Sequence, residues 1–133
     1  MKVLIVDDSW IIRERLAAML GAIEGVEIVG EAESPDSAVA AITTLKPDVV
    51  LLDLILADGS GIHVLRRVRG SQPALKVIVL TNYNYPRYRD LCLELGADYF
   101  LDKSSDFTKA IDVVKALAEE RRLLAARVGD EED

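Results

Sequence analysis

The sequence has a single cysteine, Cys92, which excludes an intrachain disulfide and fits a reducing compartment. It has one histidine, His63, so no cluster of soft metal ligands can form from histidine and cysteine. Positive charge is also short. Sixteen Lys and Arg stand against 23 Asp and Glu, a net charge of -7. Direct nucleic-acid binding usually shows a basic footprint, so that class is disfavoured. No long apolar run is present. The opening "MKVLIVDDSW" places two acids after a short aliphatic run, too early for a signal peptide or a membrane span. The chain therefore reads as cytoplasmic, without membrane insertion. No linker and no low-complexity segment interrupts it.

What is there in quantity is aliphatic. Half of the 133 residues are hydrophobic, enough for one domain with one sizeable core. Short aliphatic runs recur: "KVLIV" (2–6), "VEIVGEA" (26–32), "DVVLLDL" (48–54), "KVIVLT" (76–81) and "DYFL" (98–101). Several are apolar at nearly every position, as strands buried on both faces are. Helical stripes lie between and after them. These are Ile12, Leu16, Met19 and Ile23; Ala38, Ile42 and Leu45; Ile62, Leu65 and Val68; Tyr88, Leu91 and Leu95; and Phe107, Ile111, Val114 and Leu117. Ser34-Pro35 suits a helix start, Gly70 and Gly96 suit helix ends, and Ser104 or Ser105 can cap the last helix. Strand and helix thus alternate five times. That order predicts an α/β fold, a doubly wound five-stranded parallel sheet with strand order 2-1-3-4-5, flavodoxin-like. Residues 1–122 form the expected domain, and 123–133 a tail expected to fray.

Sites in such sheets form at the carboxyl ends of the strands. There the sequence places Asp7 and Asp8 after strand 1, Asp53 after strand 3, Thr81 ending strand 4 and Lys103 just after strand 5. Asp53 interrupts the aliphatic run "VVLLDLIL", where an uncompensated carboxylate costs several kcal/mol. If strand 1 lies beside strand 3, three carboxylates converge. Their repulsion asks for a cation, and an all-oxygen donor set selects Mg²⁺, with Mn²⁺ as the alternate. Mg²⁺ shares its positions with phosphate oxygens. Asp53 is then the candidate nucleophile for a phosphoryl group, with Lys103 and the Thr81 hydroxyl neutralising its oxygens.

Together "VLIVDDS", "DVVLLDLILADGSG", "KVIVLTN" and "GADYFLDKS" resemble the receiver domain of two-component response regulators, of the single-domain chemotaxis type, from about residue 2 to about residue 121. The resemblance implies that Asp53 is the phosphoacceptor. It implies direct Mg²⁺ ligation by Asp8, Asp53 and the backbone carbonyl of Ile55, with Asp7 acting through water. Thr81 becomes the switch hydroxyl, Lys103 the phosphate-binding ammonium and Phe100 the switch aromatic. A sensor histidine kinase or a phosphotransfer protein would donate the phosphoryl group. The face of helix 4, strand 5 and helix 5 would then bind a downstream protein differently. The chain would be a monomer or weak dimer, and no enzyme beyond its own phosphorylation and dephosphorylation. Three positions depart from the family pattern: Ala57 and Ser104 stand where proline is common, and Phe100 lacks the hydroxyl of the commoner Tyr. A trans Lys103–Ser104 bond is expected, because a cis bond without proline costs roughly 3–4 kcal/mol.

Blander readings compete. Asp7 and Asp8 can simply cap helix 1, Thr81 can be an ordinary strand residue and Lys103 a surface lysine. His63 reads as an ordinary helix residue and Cys92 as a small core residue. Arg66-Arg67 and "PRYR" read as solvated faces, and Tyr83 and Tyr85 as loop residues that move with the switch. Trp10 follows Asp8 by two residues, and if it sits over the pocket its fluorescence should change when Mg²⁺ or a phosphoryl mimic binds. Among functions, a receiver belonging to a longer DNA-binding regulator is the nearest rival. A haloacid-dehalogenase-type phosphatase would need D-x-D after strand 1, where this chain has D-D-S. A flavin carrier would need a hydroxyl- and glycine-rich phosphate loop there. An interaction module that takes no phosphoryl group would not need the acid set.

Overall fold

In the computed structural model, which describes the backbone of residues 1–132 and side chains through Gly129, the main sheet has five parallel strands. They are β1 (Lys2–Val6), β2 (Glu27–Ala32), β3 (Val49–Leu52), β4 (Lys76–Thr81) and β5 (Tyr99–Asp102). The helices are α1 (Trp10–Gly21), α2 (Pro35–Leu45), α3 (Gly61–Val68), α4 (Pro86–Glu94) and α5 (Phe107–Glu132). The strand order is β2-β1-β3-β4-β5, as the alternation predicts. The last strand sits one residue later than expected, taking in Asp102.

The central strands are aliphatic throughout because both faces are covered. Along β3 every residue is buried, and in β1 and β4 only the first lysine is exposed. Side chains alternate between two apolar layers. Val3, Ile5, Val49, Leu51, Ile78 and Leu80 pack against Leu16 and Leu20 of α1 and Ala110 and Val114 of α5. Leu4, Val6, Val50, Leu52, Val77 and Val79 pack against Ala38, Ile42, Val64, Leu65, Val68 and Cys92 of α2, α3 and α4. The Cys92 thiol belongs to this second layer, and burial pushes it up to about 11. It is a packing residue with little thiolate at neutral pH.

Several boundaries differ from expectation. Ser9, not an aspartate, caps α1, its Oγ accepting the Ile12 amide at 3.3 Å. Ser34 caps α2 in a reciprocal box with Ser37, as its position suggests. Gly96 follows α4 at φ +101°, the left-handed stop expected of it, whereas α3 ends on Arg69 with ordinary helical angles. The serines 104 and 105 do not cap α5. Asp106 directly precedes it and accepts the Ala110 amide through its carbonyl at 3.1 Å. Of the segment 123–133, residues 123–132 belong to α5, and Asp133 lies outside the described residues. All peptide bonds among the described residues are trans, the Lys103–Ser104 bond included.

Leu65 is fully buried where α3 meets the sheet. Leu65→Ala should lower unfolding stability by about 2–5 kcal/mol, read by urea denaturation. An unchanged midpoint would contradict the packing described.

Candidate functional site

Backbone register assembles the site. β1 and β3 pair with Val6 opposite Leu52, so the next residue of each strand is an aspartate. The Asp53 amide continues the ladder to the Val6 carbonyl at 3.0 Å, and the Asp7 amide reaches the Ala32 carbonyl at 3.0 Å. On the other side, Thr81 stands opposite Asp102, and the Lys103 amide bonds the Thr81 carbonyl at 2.9 Å. Main-chain hydrogen bonds thus tie the end of β3 to β1 and the end of β5 to β4.

The side chains then close on a single point. Lys103 Nζ donates to Asp7 Oδ2 at 2.6 Å and to Asp53 Oδ2 at 2.7 Å, although it lies 96 and 50 residues away in sequence. Both carboxylates are buried, Asp7 at 2% and Asp53 at 5% exposure. Asp7 Oδ1 takes the Ser9 amide at 2.9 Å, and Asp53 Oδ1 takes the Ile55 amide at 3.3 Å. Burial pushes the Asp7 carboxyl above the ordinary carboxylate range, against the pull of Lys103 and the Ser9 amide. Burial alone would push the Lys103 ammonium down, but its bonds to Asp53 and Asp7 outweigh that and raise it. The amine therefore stays charged through the neutral range.

Asp8, exposed at the rim, brings the third carboxylate, and ligand oxygens of Asp7, Asp8 and Asp53 all lie within 4.8 Å of one another. Formally, three carboxylates against one ammonium leave two negative charges. A divalent cation that prefers oxygen fits that set, and no histidine or cysteine joins it. Thr81 is fully buried, and its Oγ accepts the Tyr83 amide at 3.1 Å. That leaves its hydroxyl hydrogen for another acceptor. Phe100 is half-buried against the layer beneath α4. Ile55 lies on a two-residue ribbon, Ile55–Leu56 with Gly59–Ser60, and its side chain is exposed at the rim.

The arrangement thus brings together the side chains of Asp7, Asp8, Asp53 and Lys103, with Thr81 at the adjoining strand end. His63 is exposed on α3, and Trp10 points largely into solvent at the start of α1. Sequence reasoning missed Arg13, which donates to the Asp7 carbonyl at 2.7 Å and pairs with Glu31 of β2 at 3.0 Å. It also missed Asn82, Asn84 and Asp102, whose alternation around Thr81 and Lys103 was the available signal.

The sequence model of the response regulator receiver domain matches residues 3–115. The response regulator GacA of Pseudomonas aeruginosa is 28% identical over 98% of this chain and 61% of its own length. VraR of Staphylococcus epidermidis is 31% identical over 86% of this chain and 54% of its own length. Hence the chain spans little more than half the length of these curated relatives. The signal receiver domain of NarL from Mycobacterium tuberculosis superposes with a TM-score of 0.80 at 30% identity, covering 89% of this chain and 95% of that one.

Gly61, at the start of α3, sets how near that helix comes to the site. A Cβ there would sit 2.1 Å from the Asp53 carbonyl oxygen. Gly61→Ala should therefore cost about 1–3 kcal/mol and lower the melting temperature. Gly70→Ala, with nothing within 4 Å, should not. Equal melting of the two variants would refute the contact.

Proposed function

The chain belongs to the response regulator receiver family of two-component signalling, and we propose that Asp53 is its phosphoacceptor, fed by the phosphohistidine of a sensor histidine kinase or phosphotransfer protein. The observation that carries this reading is the Lys103 ammonium held between Asp7 and Asp53. An Asp53 oxygen attacks phosphorus in line. The P–O bond forms as the P–N bond breaks, and the donor imidazole, already protonated on its other ring nitrogen, leaves neutral. Lys103 Nζ, already on Asp53 Oδ2, takes one phosphoryl oxygen, and the Thr81 hydroxyl takes another. Asp8, Asp53 and the Ile55 carbonyl, with Asp7 through water, would hold Mg²⁺ (or Mn²⁺). When bound, the ion supplies neutralisation of phosphoryl charge.

Movement of Thr81 toward the new group draws on the β4–α4 loop. Phe100 on β5 packs under α4 and would follow. The α4–β5–α5 face then changes for a downstream protein. Water attack on the acyl phosphate resets the switch, so the domain catalyses its own phosphorylation and dephosphorylation only. No described helix is long and apolar enough to cross a membrane, and a cytoplasmic setting, as monomer or weak dimer, suits the reading. The greater length of the matched relatives favours a second reading, in which this domain, residues 1–122, serves a longer DNA-binding regulator.

Incubation with Mg²⁺ and phosphoramidate should add one phosphoryl group by intact mass, and Asp53→Asn should abolish it. Modification persisting in that variant would move the acceptor elsewhere. Separately, Mg²⁺ at 100 times its dissociation constant should stabilise the fold by about 2.7 kcal/mol. Asp8→Asn should remove most of the resulting rise in melting temperature. A flat response of the unsubstituted protein at millimolar Mg²⁺ would contradict the site.

A further inference from the structure

Residues 82–85, just past β4, face two ways. The even residues reach the turn after β5. Ser104 Oγ donates to Asn82 Oδ1 at 2.7 Å, and Asn84 Nδ2 donates to Asp102 Oδ2. The odd residues turn toward α4. Tyr83 packs on Tyr85 at 5.2 Å and on Tyr88 at 4.6 Å between ring centroids. Asp102 also gathers its own turn, its Oδ1 accepting the Ser104 amide at 2.8 Å and the Ser105 amide at 3.3 Å. Lys103 lies between the two latched residues, Asp102 and Ser104.

We propose that Asn82–Ser104 and Asn84–Asp102 form a latch between the loops carrying Thr81 and Lys103, which positions the Lys103 ammonium for phosphoryl transfer. The inference rests on Asp53 being the phosphoacceptor. Lysine has a flexible four-carbon stem, so the placing of its Nζ depends on how firmly its backbone is held. One ladder bond, Lys103 N to Thr81 O, fixes the residue itself. The latch fixes the residues on both sides. Ser104 stands where the family usually has proline, a residue that stiffens its turn by its ring. Here a hydroxyl and a carboxylate do so by hydrogen bonds, at the price of needing Asn82 and Asn84 opposite. These four are positioning residues, since none of them touches the Asp7–Lys103–Asp53 centre.

Asn82 and Ser104 are both exposed, so their truncation should spare the fold. The test compares Asn82→Ala, Ser104→Ala, the double variant and Ser104→Thr in the full chain. Each is phosphorylated by phosphoramidate with Mg²⁺, and its melting temperature and Mg²⁺ affinity are measured alongside. Each alanine variant should lose about tenfold in phosphorylation rate, since small misplacements of a charged group cost on that order. The double variant should lose no more than either single, because both break the same bond. Ser104→Thr should keep the rate, and Mg²⁺ affinity should not move. Rates within twofold of the unsubstituted protein, or losses that multiply in the double variant, would overturn the latch. If the unsubstituted protein takes no phosphoryl group at Asp53, the underlying reading fails instead.

Discussion

One ammonium between two carboxylates organises this molecule's working end. Lys103 Nζ sits within 2.7 Å of both Asp7 and Asp53, in a place from which water is largely excluded. Bringing those acids together without it would set like charges side by side in a poor dielectric. With it, the cluster keeps enough negative charge to attract a divalent cation. Burial and ion pairing act in opposition here: at Lys103 the pairing outweighs burial and holds the charge, whereas at Asp7 burial prevails and raises the carboxyl.

The sheet exists, from the site's viewpoint, to hold that geometry without side-chain help. β1, β3 and β4 are buried on both faces, and their register sets Asp7 and Asp53, one residue past β1 and β3, side by side with Thr81 at the end of β4. Main-chain bonds from Asp53 to Val6 and from Lys103 to Thr81 carry the order past the last regular strand residue. Helix caps are delegated elsewhere. Ser9 and Ser60 take the amides of α1 and α3, so no aspartate of the cluster serves as a helix cap. Where proline is common in the family, Ala57 lies beside Asp58 at φ +61° in the ribbon turn after Asp53. The Ala57 amide is tied to the Glu33 carbonyl at 2.9 Å. Here too, hydrogen bonding to a neighbouring segment fixes a turn that carries no proline.

Much of this was legible in order. Aliphatic runs such as "VVLL" report burial on two faces because a parallel strand under helices on both sides has no polar side to show. The i, i+4, i+7 stripes report the helices for the matching reason. An acid in the middle of "VVLLDLIL" was legible as a site because nothing local could compensate it. The cap of α5 was not legible, since Ser104, Ser105 and Asp106 are equally able to cap by residue type and only backbone angles choose among them.

What the sequence determined by itself was the alternation of buried strand and amphipathic helix, and from it which residues fall at strand ends. Periodicity and hydropathy are local, and local chemistry was enough for them. Only the tertiary structure decided that Lys103 reaches Asp7 and Asp53 together, and that Asn82 meets Ser104 across two loops. Those contacts span 22 to 96 residues of chain. They depend on strand register and crossover, which no local pattern encodes.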